Sequence, residues 1–144
     1  MSQPVAYWDS SALVPLCVPQ PQTIRAGKLY ESYAVVTWWA TQVEMISGLT
    51  RLMRMGQITH GMFLAAKQLA EEIVLDWIST GSSVGIAANA CMLLELYPLY
   101  AADALQLAAA LEACEHKPQG YVFVTADQRL ADAARRSGFS VEFI

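Results

Sequence analysis

Four short apolar runs, rich in β-branched and aromatic residues, alternate with longer helical patterns along this chain of 144 residues. Each run is four or five residues long, which is too short for a helix and typical of a buried strand. The predicted strands are Val5–Trp8, Tyr33–Thr37, Tyr121–Thr125 and Ser140–Phe143. Continuously apolar strands separated by helices favour a parallel sheet covered on both faces, so the sequence predicts a three-layer α/β fold.

Seven helical patterns occupy most of the remaining chain. They cover Ser10–Cys17, Gln22–Tyr30, Ala40–Met55, Thr59–Trp77, Val84–Leu96, Ala102–Cys114 and Gln128–Ser137. No strand is evident between Thr59–Trp77 and Val84–Leu96, which predicts a helical hairpin inserted into the alternation. The length is that of about one domain, and we expect residues 1–144 to form a single one.

Charge and cysteine usage exclude some classes of function. The formal net charge is −4, so a broad basic surface that binds nucleic acid by counterion release alone is not expected. Cys17, Cys91 and Cys114 are far apart and lack neighbouring histidines, which predicts buried thiols in a reducing compartment and neither disulfides nor a zinc site. The sequence shows neither a signal peptide nor a membrane span, so we expect a soluble cytoplasmic protein.

Four acidic residues lie in mainly apolar surroundings near predicted strand–helix junctions. Asp9 ends the first strand, Asp127 follows a later strand by two residues, and Asp103 lies in the first turn of an almost wholly apolar helix. Glu44 lies inside the helix after the second strand, and Gly48 stands where an i+4 basic partner would be. Helix capping explains the three aspartates singly. It explains neither Glu44 nor the placement of all four where they can converge on one sheet edge.

Converging carboxylates need a counter-charge. Two carboxylates about 5 Å apart repel by roughly 3 kcal/mol at an effective dielectric constant of about 20. A divalent cation removes this repulsion, and oxygen ligands without His or Cys suit Mg²⁺ or Mn²⁺. His60 and His116 lie far from the acidic motifs in sequence and are assigned to the surface. Such a metal site activates water and stabilises the charge that develops during phosphodiester hydrolysis.

Four segments, in this order, carry a resemblance to a known family. They are YWDSSALVPL, WATQVEMISGLTRL, YAADALQLAAAL and VFVTADQRLADAARRSGF. Together they resemble the PIN-domain ribonucleases of the VapC toxin type over essentially the whole chain. The resemblance implies a PIN-like fold with a short central parallel sheet flanked by helices. It also implies that Asp9, Glu44, Asp103 and Asp127 bind Mg²⁺ or Mn²⁺ and carry the catalysis.

The resemblance extends to neighbouring residues and to partners. Ser11 matches the family's Asp-x-Ser pattern after the first acid, and Thr125 matches a small hydroxyl residue beside the last acid. The resemblance implies a homodimeric endoribonuclease that cleaves single-stranded RNA and is inhibited by a cognate antitoxin. Gln106 stands where many relatives carry histidine, and Tyr100 stands where a basic residue is common. We expect these two departures to affect the choice of substrate more than the chemistry.

Contacts with RNA must be local, because the chain is acidic overall. The candidate phosphate-binding residues on acid-bearing segments are Arg51, Arg54 and Arg129, with Arg25 and Lys28 further away. A solvated helix face explains each of these cations equally well. Trp38 and Trp39 have the ring faces that unpaired bases stack on. Packing in the core or in a dimer is the simpler interpretation, because both follow a buried strand.

Three alternative functions remain open. A phosphohydrolase of the haloacid-dehalogenase type also begins with a strand that ends in Asp, but it wants a second acid two residues on, where Ser11 stands. A PIN-fold RNA-processing nuclease without an antitoxin uses the same four acids. A non-catalytic, partner-binding PIN-like module shares the fold, and the presence of all four acids argues against it.

Overall fold

We describe the fold from a computed structural model that covers residues 2–81 and 83–144. Within these residues the sheet has five parallel strands: β1 (Val5–Trp8), β2 (Ala34–Thr37), β3 (Ile78–Ser79), β4 (Val122–Thr125) and β5 (Ser140–Phe143). Their order across the sheet is β3-β2-β1-β4-β5. β1 and β4 are neighbours at the centre, where Tyr7 pairs with Phe123. The predicted parallel sheet and its four predicted strands are confirmed.

The described residues also form seven α-helices, which cover both faces of the sheet. They are α1 (Ser10–Leu13), α2 (Thr23–Ser32), α3 (Ala40–Arg54), α4 (His60–Asp76), α5 (Ser83–Leu96), α6 (Ala101–Ala113) and α7 (Gln128–Ser137). α1 continues into a 3-10 turn at Val14–Leu16, so the predicted helix Ser10–Cys17 is α-helical only at its start. None of these helices, taken singly, is long and apolar enough to cross a membrane. The predicted three-layer α/β arrangement is confirmed.

Successive residues of each strand point to opposite faces of the sheet and build two separate cores. One core contains Tyr7 and Phe123 and packs against α5, α6 and α7. The other contains Trp8 and Val124 and packs against α1, α3 and α4. Tyr7 stacks on Phe123, with ring centroids 5.4 Å apart. Because both faces are packed, the carboxyl ends of β1 and β4 are held in fixed positions.

The predicted helical hairpin between α4 and α5 is wrong. The two-residue strand β3 lies between these helices and pairs with β2 through Ile78 and Val36. α4 packs against α3 in one core through Ala66 and Ala70, whereas α5 packs against α6 in the other core through Ile86. The two helices therefore belong to different layers, on opposite faces of the sheet.

Two of the three cysteines are buried, as predicted, and one is not. Cys17 and Cys114 are buried, but Cys91 is exposed on α5, so the prediction of a buried thiol is wrong there. Burial raises the pKa of Cys17 to about 11, which keeps this thiol protonated at neutral pH. His60 and His116 are both exposed, as expected.

Candidate active site

The strand order reverses between β1 and β4. From β1 the chain builds the sheet outward through β2 and β3, and it then returns to add β4 and β5 on the other side. In open parallel sheets, ligands bind in the crevice beyond the carboxyl ends of the strands at such a reversal. Asp9 directly follows β1, and Asp127 follows β4 by two residues. Both aspartates therefore lie at this crevice.

Asp9 is nearly buried, with 4% of its surface exposed. It caps α1, and both of its carboxylate oxygens accept hydrogen bonds from Ser11: Oδ2 from the backbone N–H at 3.2 Å and Oδ1 from the hydroxyl at 2.8 Å. Burial raises the pKa of Asp9 from 3.8 to about 7, although the bonds from Ser11 oppose the rise, and the carboxylate of Glu44 adds to it. Without a cation, Asp9 is therefore only partly ionised near neutral pH.

Ser11 and Thr125 join the ends of β1 and β4. Their hydroxyl oxygens are 3.2 Å apart, and the Ser11 hydroxyl also accepts the backbone N–H of Ala126 at 2.9 Å. The Thr125 hydroxyl accepts the N–H of Asp127 at 3.0 Å. Asp127 in turn caps α7 by accepting the N–H of Leu130 at 3.0 Å. These contacts fix the two aspartates of the crevice relative to each other.

Gln106 holds Glu44 from within the core, where only 1% of the glutamine is exposed. Gln106 Nε2 donates to Glu44 Oε2 at 2.6 Å and to Thr41 Oγ1 at 2.9 Å. The Gln106 Oε1 accepts the hydroxyl of Tyr7 at 2.7 Å. Thr41 shares a further hydroxyl hydrogen bond of 2.6 Å with Thr37. Because both the oxygen and the nitrogen of the Gln106 amide form hydrogen bonds, the orientation of the amide is fixed. The amide in turn orients the carboxylate of Glu44 through its own hydrogen bond to Oε2.

Asp103 lies in the first turn of α6, where Oδ2 accepts the backbone N–H of Tyr100 at 3.4 Å. Burial raises the pKa of Asp103 and the Asp127 carboxylate raises it further, whereas the positive charge of Arg129 opposes the rise. Burial also raises the pKa of Glu44, and the Asp103 carboxylate adds to that rise. Repulsion between charges thus links the acids in pairs, as expected for carboxylates that share one site.

One cavity of about 470 Å³, here termed the acidic cavity, is lined by all four acids predicted from the sequence: Asp9, Glu44, Asp103 and Asp127. The other residues that line it are Ser10, Val43, Ser47, Arg51, Ala102 and Gln106. Among the described residues, no basic side chain forms an ion pair with any of the four acids. The three aspartates thus do both things that the sequence suggested: each accepts a hydrogen bond from a backbone N–H group at the start of a helix, and each lines one cavity together with Glu44.

The donor set of the acidic cavity fits a hard divalent cation. Its acids offer only carboxylate oxygens, and no described lining residue is His or Cys, which is the ligand chemistry of Mg²⁺ or Mn²⁺. Burial is the main cause of the raised pKa values of Asp9, Glu44 and Asp103, and repulsion from a neighbouring carboxylate adds to each rise, so a bound cation would favour their ionised forms. In residues 2–81 and 83–144, no three candidate ligands are already arranged to hold an ion. Binding of one ion by several of the acids therefore requires side-chain movement.

The structure separates the cations that the sequence assigns to RNA. Arg51 lines the acidic cavity, whereas Arg54 lines a neighbouring, more apolar cavity along α3. The guanidinium of Arg129 lies over the ring of Tyr100, 4.8 Å from its centroid. Arg25 forms a surface ion pair of 2.6 Å with an acid of β5. Of these four arginines, Arg51 alone lines the cavity that holds the acids.

The two tryptophans that follow β2 have different environments. Trp38 is 4% exposed and belongs to the core, so core packing is the correct interpretation for it. Trp39 is 61% exposed, although its ring centroid lies 5.5 Å from that of Trp38. Its indole is available to a base or to a partner protein.

Sequence reasoning missed the structural part that Gln106 plays. The sequence interpretation assigned Gln106 to substrate choice, but its side chain is buried and donates directly to Glu44. Its amide thus supplies the acid with a hydrogen-bond donor. The signal was its position, three residues after Asp103 on an otherwise apolar helix, which places both side chains on one helix face.

Comparisons with known proteins agree with this geometry. A search of curated proteins finds no match. Among solved structures, the chain is similar to PAE2754 from Pyrobaculum aerophilum, with 19% identity, a TM-score of 0.66, and coverage of 97% of this chain and 92% of that one. It is also similar to FitAcB from Neisseria gonorrhoeae, with 16% identity, a TM-score of 0.61 and coverage of 97% of each chain. A family model described as the PIN domain matches residues 6–136. This chain therefore belongs to the PIN domain family, which is a superfamily of nucleases.

Proposed function

We propose that this protein is an endoribonuclease that uses Mg²⁺ or Mn²⁺ to hydrolyse phosphodiester bonds in single-stranded regions of RNA. The observation that carries the proposal is the acidic cavity, where carboxylates from four separate segments line one space at the strand reversal of a PIN-family sheet. Because the chain belongs to the PIN domain family, we discard the alternative of a haloacid-dehalogenase-type phosphohydrolase.

The chain's own residues supply oriented ligands. In this proposal the metal-binding and catalytic acids are Asp9, Glu44, Asp103 and Asp127. A divalent cation bound among them supplies an activated water and stabilises the charge that develops on the phosphodiester. Ser11 orients Asp9 through two hydrogen bonds, and Gln106 orients Glu44 through one. Partners of this kind fix the ligand geometry before the substrate arrives.

Two features favour an unpaired RNA segment as the substrate. The acids line one cavity and Asp9 is nearly buried, and an unpaired segment bends its phosphodiester toward such a site more easily than a rigid duplex does. Arg51 lines the same cavity and offers a positive charge to a neighbouring phosphate. Arg54 and Arg129 are further phosphate contacts in this proposal, and the exposed ring of Trp39 is a stacking surface.

We place the protein in a toxin–antitoxin pair in the cytoplasm, on the strength of its sequence resemblance to VapC-type toxins. The acidic cavity attracts a cationic segment of an inhibitory protein, because concentrated negative charge is stabilised by an opposite charge. A homodimer is proposed because α5 exposes large apolar side chains: Val84, Met92 and Leu96 are 79%, 59% and 66% exposed.

A non-catalytic, partner-binding role is the second candidate. It is favoured by the observation that, in the part of the chain described, no three acids already form a ligand group. An RNA-processing nuclease without an antitoxin would share the active site. Expression with and without the protein encoded upstream distinguishes it, because a toxin slows growth only when its antitoxin is missing.

The test of catalysis is cleavage of a labelled RNA in which one unpaired loop separates two duplex arms. With Mg²⁺ or Mn²⁺, we expect cuts confined to the loop, and none with EDTA or in Asp127→Asn, which retains a good helix cap. Asp132→Asn is the matched control, because Asp132 is an exposed acid of the same helix. Mn²⁺ should raise the melting temperature of the wild type and raise it less in Asp9→Asn. Intact RNA from folded protein that binds Mn²⁺ would favour the non-catalytic role.

A further inference from the structure

A second cavity, of about 300 Å³, adjoins the acidic cavity. The two share Ser10, Glu44 and Arg51 as lining residues, so they are open to neighbouring parts of one bound molecule. Two side chains found only in the second cavity are those of Gln20 and Gln22, and we term it the glutamine cavity. Its volume is at the lower end of the range for small-molecule sites, which suits one planar ring system.

The amide groups of Gln20 and Gln22 are two polar features of this cavity that the fold leaves unused. Both residues are half-buried, and among the described residues neither carboxamide has a hydrogen-bond partner in the protein. The loop that carries them is fixed, because the Thr23 hydroxyl accepts the backbone N–H of Gln20 at 2.9 Å and donates to the carbonyl of Pro15 at 2.7 Å. The backbone that carries Gln20 is therefore fixed, and the two carboxamides keep their donors and acceptors for a ligand.

Apolar residues and a glycine form the rest of the wall. Val14 and Leu52 line the cavity beside Gly48. A Cβ at Gly48 would lie 3.6 Å from Val14 Cγ2 and 3.9 Å from Arg51 Nη2, so the missing side chain leaves room beside the guanidinium. The cavity therefore has apolar surface for a ring, amides for its polar edge, and a cation at the boundary with the acids.

We propose that the glutamine cavity receives the base of an unpaired nucleotide next to the cleaved phosphodiester, and that Gln20 and Gln22 select this base. The inference rests on the proposed nuclease function and goes beyond it by naming residues that determine specificity. Arg51 contacts the phosphate between the selected base and the acidic cavity. A carboxamide offers one donor and one acceptor side by side, and it pairs with the edge of a base in two hydrogen bonds.

The charge distribution favours a base over a phosphate in this position. Glu44, on the shared wall, is the one acidic residue among the described residues that line the glutamine cavity, and Arg51 is the one cation. With the cation at the boundary, the interior is neutral and binds an uncharged ring better than an anion. Unpaired bases are recognised in this way, by contact with ring faces and by hydrogen bonds to their edges.

The test measures binding of four labelled homopolymeric RNA hexamers, of A, C, G or U, by fluorescence anisotropy in EDTA, where metal-dependent cleavage is absent. We expect the wild type to bind the best hexamer about tenfold more tightly than the worst, as for a bidentate amide–base pair. In the double variant Gln20→Ala/Gln22→Ala, this ratio should fall to about twofold. Gln68→Ala is the matched control, because Gln68 is exposed on α4 and lines neither cavity.

An abasic hexamer separates base selection from backbone binding. Its affinity should be unchanged in the double variant and should fall several-fold in Arg51→Ala. Equal selectivity of the wild type and the double variant, or a wild type that binds all four hexamers equally, would overturn the inference. RNA cleavage without base selectivity would leave the nuclease function standing and refute base selection alone. Selectivity that depends on the glutamines in a protein that cuts no RNA would refute catalysis and support the base cavity.

Discussion

Replacing Asp9 with asparagine removes a charge from the most deeply buried of the four acids. The pKa of Asp9 is about 7 in the folded protein, chiefly because of burial, against 3.8 for an ordinary aspartate. The folded state therefore binds a proton at Asp9 more tightly than the unfolded chain does. The stability from this proton is fully present below pH 3.8 and is lost as the pH rises through about 7. At about 1.36 kcal/mol per pKa unit, the loss is roughly 4 kcal/mol.

The asparagine variant retains the surrounding hydrogen bonds. Its carbonyl oxygen accepts the backbone N–H of Ser11, as Oδ2 of Asp9 does at 3.2 Å. Its amide donates to the Ser11 hydroxyl, whose proton then turns toward Thr125 Oγ1, 3.2 Å away. Asparagine caps helices about as well as aspartate. The variant therefore isolates the charge, and without metal we expect it to exceed the wild type in stability by up to about 4 kcal/mol at pH 8 and by far less at pH 5.

Urea unfolding in EDTA between pH 5 and pH 8.5, followed by tryptophan fluorescence, measures this effect. The free energy of unfolding of the wild type should fall with rising pH, and the fall should be smaller in Asp9→Asn. Some slope remains in the variant, because the pKa values of Glu44 and Asp103 are also raised. Asp132→Asn, at an exposed ion pair, should retain the wild-type slope. Equal slopes for the wild type and Asp9→Asn, or wild-type stability that rises over this range, would refute the reasoning.

Three further predictions concern the surroundings of the acids. Gln106→Leu should lower the free energy of unfolding by about 2–3 kcal/mol in urea, because the buried hydroxyl of Tyr7 and the carboxylate of Glu44 both lose their hydrogen-bond partner. Tyr7→Phe should lower this free energy by less. A larger loss in Tyr7→Phe than in Gln106→Leu would contradict the network. Leu49→Ala, at a fully buried position of α3, should cost about 2–5 kcal/mol in the same assay, and a loss under about 1 kcal/mol would contradict that packing. Arg51→Ala should raise KM for RNA cleavage several-fold more than Arg54→Ala, because Arg51 lines the acidic cavity and Arg54, the more distant phosphate contact of the two, lines the neighbouring one; equal effects would contradict this assignment.

The four strands that the sequence predicted share a property that β3 lacks. Each is a continuous β-rich run of four residues in the structure, and β1, β2 and β4 are mostly buried. β3 consists of Ile78 and Ser79, both exposed, and it pairs with β2 at the edge of the sheet. Two exposed residues carry no hydrophobic period. Tertiary pairing decides whether they form a strand, and the hairpin prediction failed for the same reason.

The acids of the candidate site were predictable, whereas the residues that hold them were not. A carboxylate in an apolar segment is unfavourable without a role, and parallel strands direct their carboxyl ends to one edge. The contact between Glu44 and Gln106 spans 62 positions, and that between Tyr7 and Gln106 spans 99. These contacts depend on how α3 and α6 pack against β1. No local pattern in the sequence encodes that packing.

Helix capping and charge repulsion act on the same aspartates, and their magnitudes decide what the acidic cavity requires. A capping side chain contributes about 1 kcal/mol, and the helix dipole about 0.3–1 kcal/mol at each end. The dipole of α1, with four residues, offers Asp9 little of this. Ionising Asp9 costs roughly 4 kcal/mol relative to an ordinary aspartate, and this cost already includes the opposing hydrogen bonds from Ser11 and the repulsion from Glu44. Capping therefore leaves the cost uncompensated, so at neutral pH the cavity either keeps protons or binds a cation. We therefore expect a divalent cation, and not the caps, to determine the stability of this sheet edge under conditions where all four acids are ionised.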